Sequence, residues 1–371
     1  MPKSQTFKNM HPITPHLELT EDVTETRPVR EGFKIGDVTV DPPCILAPME
    51  GITDRMFRGL IRSLGGCGLT VTEFVSSEAM TRHVRQAWKM AELDPLERPV
   101  SIQIYGRNTD RMAEAARYCI DLGADIVDIN LGCPSKSVTS GCSGSALMRE
   151  PELAYEIFCA VQEATSRPFT VKMRTGWCQD SRNAPEIASL AEKAGAQMVA
   201  VHGRTRMDMY KNTADWTFIN EVVKAVSIPV VVNGDILTIQ DAHRALELSG
   251  AQGVMVGRGI MRNPWLLLQI SQSLKGIKPF VPTLSDRHEI LTRYLKMRAM
   301  VSEKEHVQLG RMKKVITYFT KGLPSGAKLR KSLHQSSSVS EILHMISVYF
   351  QSLILQERQD AFCQVHPEYK S

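Results

Sequence analysis

Cys133 lies in the string Asn130-Leu131-Gly132-Cys133-Pro134-Ser135-Lys136, which runs on to Gly141-Cys142-Ser143-Gly144-Ser145-Ala146-Leu147. Gly and Pro flank the first thiol and fix the backbone around it. The second thiol sits in a looser Gly/Ser stretch. A long Gly- and Ser-rich loop inside a packed domain usually serves function rather than connection. A cysteine can act as nucleophile, metal ligand or proton donor. No His–Asn pair stands nearby in the sequence to activate a nucleophile, and no second ligand suggests a metal. A proton donor on a mobile lid fits best. Cys44, Cys67, Cys119, Cys159, Cys178 and Cys363 read as small hydrophobes or bland surface thiols.

A second set of polar residues closes a series of short apolar runs. These are Pro48-Met49-Glu50, Gln103, Asn130, Lys172, His202, Asn233-Gly234-Asp235 and Gly257-Arg258. A polar group at a buried strand end is unfavourable without a partner. One such residue is ordinarily a satisfied cap. Seven in step with the runs imply a polar ligand at a common mouth. The last two clusters have the Gly and Arg content of a phosphate site, where backbone N–H groups approach the oxygens and a guanidinium adds a fork. FMN and pyridoxal phosphate both qualify. Lys172 could form the Schiff base of the latter. Beside Arg174 and across from Gln103, it suits equally the electron-rich edge of a reduced flavin.

The elements that must position these groups alternate. Apolar β-branched runs occur at 44–49, 69–74, 100–105, 124–130, 169–173, 198–202, 229–233 and 253–257. They are continuous rather than alternating, as parallel strands buried on both faces are. Helical spacing fills 109–122, 152–164, 184–194, 217–225 and 239–248, and Gly123, Gly195 and Gly250 follow three of these segments as C-caps. This predicts an α/β fold, a (β/α)8 TIM barrel over 33–272. A doubly wound open sheet is the competitor, weakened because no GxGxxG follows the first strand. Residues 1–32 read as a flexible leader, 270–283 as a linker, and 284–360 as an all-α domain of three or four helices broken near Gly322-Leu323-Pro324.

Charge is uneven. From Arg287 to His334 stand twelve Lys or Arg against three acids, so this segment carries +9 and leaves −4 for the rest of a chain whose net charge is +5. A basic helical tail on a near-neutral body points to a polyanion. No run approaches the roughly 18 apolar residues of a membrane helix. The 8 cysteines form no CxxC pair, which argues for a reducing, cytoplasmic setting and against a structural metal. A monomer without metal or membrane attachment is expected.

In these motifs the chain resembles the tRNA-dihydrouridine synthases, flavin enzymes that reduce uridine in folded tRNA. The matching strings are Ala47-Pro48-Met49-Glu50-Gly51-Ile52-Thr53-Asp54, Asn130-Leu131-Gly132-Cys133-Pro134, Gly144-Ser145-Ala146-Leu147, Lys172-Met173-Arg174, His202-Gly203-Arg204-Thr205-Arg206, Asn233-Gly234-Asp235-Ile236, and Gly257-Arg258-Gly259 with Asn263-Pro264-Trp265. The tail string Lys321-Gly322-Leu323-Pro324 with Leu329-Arg330-Lys331 is similar to the family's RNA-binding domain. The resemblance implies FMN held by Pro48, Met49, Glu50, Gln103, Lys172, His202, Asn233, Gly234, Asp235, Gly257 and Arg258. It implies NADPH as electron donor, hydride transfer to uracil C6, and Cys133 as the acid that protonates C5. Asn130, Arg174, Arg204 and Arg206 would meet the RNA near the base, and Lys313, Lys314, Arg330 and Lys331 would hold the tRNA body. The sequence departs from the family's usual pattern at Asp208, Asn212 and Lys313-Lys314-Val315. A flavin barrel acting on a free pyrimidine, and an RNA-binding protein without catalysis, are the alternative readings.

Overall fold

Runs of Val, Ile, Ala and Leu with no polar face can lie only where both sides are covered. The computed structural model describes residues 29–301 and 304–365, with side chains as far as 359. It places eight such runs as β1 (Cys44–Leu46), β2 (Leu69–Val71), β3 (Val100–Tyr105), β4 (Ile126–Leu131), β5 (Phe169–Arg174), β6 (Val199–His202), β7 (Val230–Asn233) and β8 (Gly253–Val256). Each strand pairs in parallel with the next, and β8 closes on β1 through Val254↔Cys44 and Met255↔Ile45. Closure establishes the expected barrel and excludes the open sheet.

The pleat alternates side chains between the two faces of a strand. One column therefore holds Ile126, Asp128 and Asn130. The columns of β6 and β7 hold Met198, Ala200 and His202, then Val231 and Asn233. At the strand starts these residues join an apolar cluster with Ile45, Leu69 and Met255, to which Ile35 and Val40 add from an antiparallel hairpin (Phe33–Ile35 with Val38–Val40). Toward the strand ends the same columns turn polar. The barrel is thus packed at one end and chemically equipped at the other, as the position of sites in this architecture requires.

Between the strands the helices begin and end as their punctuation directs. Asn108 caps Thr109–Asp121 by accepting from Arg111 N–H, and Thr238 with Asp241 forms a capping box before Ile239–Ser249. Gly123, Gly195 and Gly250 all have positive φ, the conformation a helix C-cap asks of glycine.

Three expectations need correction. The second strand does not run through 69–74. It stops at Val71, and Val75–Ser76 pairs separately with Ile104 and Tyr105, because the Thr72 hydroxyl accepts from the Gln103 N–H between them. The stretch from Ile270 is not yet linker, since the helix Leu266–Leu274 occupies its start. The cysteine loop is not irregular throughout, for it winds a helical turn at Lys136–Thr139 and a 3₁₀ segment at Gly144–Arg149. Of the expected leader, residues 1–28 lie outside the described residues. Arg30, placed in it, is bonded to the barrel unit through Leu274 O and Ala251 O.

Two compact units emerge. Of the described residues, one comprises those from Val29 to Ile260 with Pro264–Pro279, and the other Met261–Asn263 with those from Phe280 onward. The second contains four helices, Leu284–Ala299, Glu305–Phe319, Gly326–Gln335 and Val339–Val365. Among the described residues no helix is long and apolar enough to cross a membrane.

Candidate active site

The loop after β1 folds on itself. Thr53 N–H donates to Met49 O, and Met49 N–H donates to the Thr53 hydroxyl at 2.9 Å. Ile52 N–H reaches Glu73 Oε1 at 3.1 Å, and the buried Arg58 donates to Thr53 O at 2.8 Å. Pro48 and Met49 are half-buried and Glu50 is exposed. A side chain at Gly257 would stand 3.5 Å from Ala47 Cβ and Met49 Sδ, so the end of β8 lies against this loop.

At the ends of β5 and β7, Lys172 Nζ donates to Asn233 Oδ1 at 3.1 Å, and Asn233 Nδ2 donates to Met255 O at 2.7 Å. Asn233 thus has a fixed amide orientation. Burial, reinforced by Arg174, pushes the Lys172 ammonium down to about 8, against a smaller opposing pull from Asp128. His202 sits among Arg174, Lys172, Arg204 and Arg258. Desolvation first, and then these four charges, hold it well below the ordinary imidazole range, so it is neutral at pH 7. Arg204 Nη1 faces His202 Nε2 at 3.3 Å. A guanidinium can only donate, so Nε2 is the acceptor and the ring proton sits on Nδ1.

Asp235 follows Gly234 with both residues at positive φ. Its carboxylate accepts from Arg204 Nη1 and Nη2 (2.9 and 2.6 Å), from Arg258 Nη2 (2.9 Å) and from Ala214 N–H (2.9 Å). Burial opposes its ionisation, but these donors outweigh it and hold Asp235 below the usual carboxylate range. The Asp235 carboxylate, expected to contact a cofactor, pairs with and orders Arg258, which is half exposed. Arg204, expected to meet RNA, commits its five N–H donors to Asp235, His202, Lys211 O and Asn212 O. These bonds tie the loop after β6 to the end of β7. Asp208, at one of the departures, knots the same loop by accepting from Thr205 N–H and Oγ1, Asn212 Nδ2 and Gln179 Nε2.

Cys133 is buried, and its backbone is gripped from both sides. Its N–H donates to Asn130 Oδ1 at 2.8 Å, and its carbonyl accepts from Ser145 Oγ at 2.8 Å and Ser145 N–H at 3.2 Å. Burial pushes the thiol up, and the nearby Glu50 adds to this, while Ser135 N–H, Arg174 and Lys172 pull the other way. The result is a protonated thiol at neutral pH. Arg174 Nε donates to Gly132 O at 2.8 Å, and its Nη1 donates to Thr205 O and Met209 O, both at 2.8 Å. Three of its five donors therefore pin the cysteine loop to the loop after β6. Arg206 extends the same seam, lying 4.8 Å from the Trp177 ring and 3.5 Å from Thr139 Oγ1. Cys142 is exposed, at positive φ, in the part of the loop after the helical turn.

The structure thus brings Cys133, Glu50, Lys172, Arg174, His202, Arg204, Asp235 and Arg258 into one constellation, with Gln103 and Asn130 at its wall. Two residues were not anticipated. The exposed Tyr210 ring lies 5.5 Å from the Arg174 guanidinium and 5.4 Å from that of Arg258. Asp128 lies beneath Asn130. The first carries no local sequence signal. The second had one, since Asp128 shares the face of Asn130 two residues earlier.

Lys313, Lys314, Arg330 and Lys331 belong to the helical unit. Lys313 Nζ donates to Ser336 O at 2.8 Å and His334 O at 3.3 Å, closing the end of one helix, and Arg330 donates to Thr320 O at 3.2 Å. These two side chains hold the unit together, whereas Lys314 and Lys331 are exposed.

Comparison with known proteins gives a consistent picture. A family model described as Dihydrouridine synthase (Dus) matches residues 45–354. The chain is 40% identical over 327 residues to a "Probable tRNA-dihydrouridine synthase" of Rickettsia prowazekii, covering 87% of this chain and 98% of that protein. It is 37% identical over 326 residues to "tRNA-dihydrouridine synthase B" of Xanthomonas axonopodis pv. citri, covering 87% and 97%. In fold it is similar to a 2-naphthoyl-CoA reductase, with a TM-score of 0.53 at 12% identity, over 66% of this chain and 52% of that one.

Proposed function

The chain belongs to the dihydrouridine synthase family, and from this premise we propose that it reduces particular uridines of tRNA to 5,6-dihydrouridine, with FMN as cofactor and NADPH as reductant. The observation that carries the reading is the neutral, buried Cys133 thiol beside a cluster of cations at the barrel mouth.

The residues present fit a flavin mononucleotide. Asp235 answers Arg204 and Arg258, while Lys172 and Arg174 form no ion pair among the described residues. An anionic group completes such a site. Arg258, with the backbone of Gly257 and Gly234, would hold a phosphate. Lys172 would place a fixed positive charge beside the reduced ring system, and Gln103 and Asn233 would supply oriented amides. The chemistry that this cofactor supplies when bound is two-electron reduction, hydride to C6 of the enone-like uracil ring.

Cys133 then holds the proton for C5, where charge develops. Its height above an ordinary thiol pKa keeps it charged with a proton rather than dissociated at pH 7. Neutral His202 can accept or donate without adding to the crowded positive charge. The target base must leave its stack to reach a barrel mouth. Lys314, Lys328 and Lys331, exposed on the helical unit, would meet phosphates of the tRNA.

The test is direct. Unmodified tRNA incubated with the purified protein and NADPH is digested to nucleosides and analysed by mass spectrometry. A two-hydrogen gain on uridine is expected, and mapping of total RNA from a strain lacking the gene identifies the positions. A protein without visible flavin absorption, or turnover of free uridine at the rate of tRNA, overturns the reading.

A further inference from the structure

Beneath the cysteine loop runs a chain of buried side chains on three adjacent strands. Thr170 Oγ1 donates to Asp128 Oδ1 at 2.5 Å, and Gln103 Nε2 donates to Asp128 Oδ2 at 2.5 Å. Asn130 Nδ2 donates to Gln103 Oε1 at 2.7 Å, and Asn130 Oδ1 accepts from Gly132 N–H at 3.0 Å and Cys133 N–H at 2.8 Å. Strand register places the partners side by side, Gln103 opposite Asp128 and Asp128 opposite Thr170. Asp128 is 2% exposed and Gln103 0%.

The polarity of this chain is dictated from both ends. Two backbone N–H groups of the loop can only donate, so Asn130 must present oxygen to them and nitrogen to its other neighbour. That nitrogen requires the oxygen of Gln103, which turns the Gln103 nitrogen toward position 128. An acceptor is needed there, and a carboxylate offers nothing else. An amide buried with its ends reversed would face like against like, donor to donor, and leave groups unsatisfied.

We propose that Asp128 is a positioning residue, which sets the orientation of the Gln103 amide and, through Asn130, holds the backbone segment bearing Cys133. The assignment rests on reading Cys133 as the reacting acid. Its mechanical part, the grip on the loop, stands apart from that reading and is what the experiment measures.

The readout is the rate at which N-ethylmaleimide alkylates Cys133, followed by mass spectrometry of its peptide, with Cys178 as internal reference. Asp128→Asn retains an acceptor for Gln103 and should leave the rate within about twofold. Asn130→Asp removes the donor and places a second acid beside the Gln103 oxygen. It should free the loop and raise alkylation about tenfold or more. Adding Asp128→Asn to Asn130→Asp lets the Gln103 amide turn over and reverses the whole chain coherently. The double variant should fall back to within about threefold of the parent.

A double variant as reactive as Asn130→Asp alone overturns the proposal, as does an unchanged rate in Asn130→Asp. If Asn130→Asp does not fold, recovery of a folded protein in the double variant supports the chain equally, and failure of the double to fold overturns it. Failure of the functional reading is separate. It appears as a parent protein that makes no dihydrouridine, whatever the alkylation rates.

Discussion

Lys172 Nζ and Asn233 Oδ1 meet at 3.1 Å, so the end of β5 is joined to the end of β7 past the intervening His202 of β6. The ammonium is buried, and its pKa falls to about 8. A free lysine titrates near 10.4. Between these values the unfolded chain binds more protons than the folded one, so stability contributed here rises with pH across that window. Below it the charged form is held at a penalty on the order of 3 kcal/mol. Lys172→Met should therefore stabilise the cofactor-free protein at pH 7 by roughly 1–3 kcal/mol in urea unfolding, while abolishing dihydrouridine formation. A less stable variant would show that the ammonium is not under strain.

The same lysine sets the expected pH dependence. Its charge is lost as pH rises through about 8, and the Cys133 thiol, pushed above its ordinary value, loses its proton later. The rate of uridine reduction should thus fall on the alkaline side, with a midpoint at or above about 8, since a bound anionic ring favours the charged lysine. His202, already neutral, should contribute no limb near its ordinary value of about 6.5. Lys172→Arg, if it retains activity, should move the alkaline limb upward, because a guanidinium keeps its charge. A limb unmoved in that variant would assign the midpoint to another group.

The two thiols of the loop divide sharply in their surroundings. Cys133 is buried between Asn130 and Ser145, while Cys142 is exposed. Cys133→Ala should keep the visible flavin spectrum and NADPH oxidation but lose most product, by about 10²–10⁴-fold for a positioned acid. Cys142→Ala should change product formation less than about threefold. The reverse pattern, with Cys142→Ala inactive and Cys133→Ala normal, would reassign the acid.

The barrel was legible because its signals are local. Eight short apolar, β-branched runs and three helix-ending glycines need no knowledge of distant contacts. The site was legible as a set of strand ends, since period two fixes which residues share the inner face. What each side chain does there was less legible. Arg204 and Arg174 read as free cations for RNA, yet their partners are carbonyls and a carboxylate on other loops, which only the closed barrel brings near. Asp128 looked like part of an apolar run because its partners Gln103 and Thr170 come from the flanking strands. Tyr210 acquires its setting from Arg174 and Arg258, far away in sequence. In the tail, composition counted charges correctly but could not separate lysines that cap helices from lysines that face water.

That last distinction yields a test. Lys328 and Lys331 are exposed and three residues apart on the helix Gly326–Gln335, so they lie on one face. If that face meets phosphates, each Lys→Ala change should weaken tRNA binding and lower the slope of log affinity against log salt by about one. Lys313 carries the same charge but donates to Ser336 O and His334 O. Its removal leaves a helix end without a donor, for which a loss on the order of 1 kcal/mol of stability is expected. Lys313→Ala should thus lower the melting temperature and leave the salt slope nearly unchanged. Fluorescence titration of tRNA at several salt concentrations, run beside thermal melts, separates the two. A salt slope reduced by Lys313→Ala with no change in melting would return that lysine to the RNA-facing set.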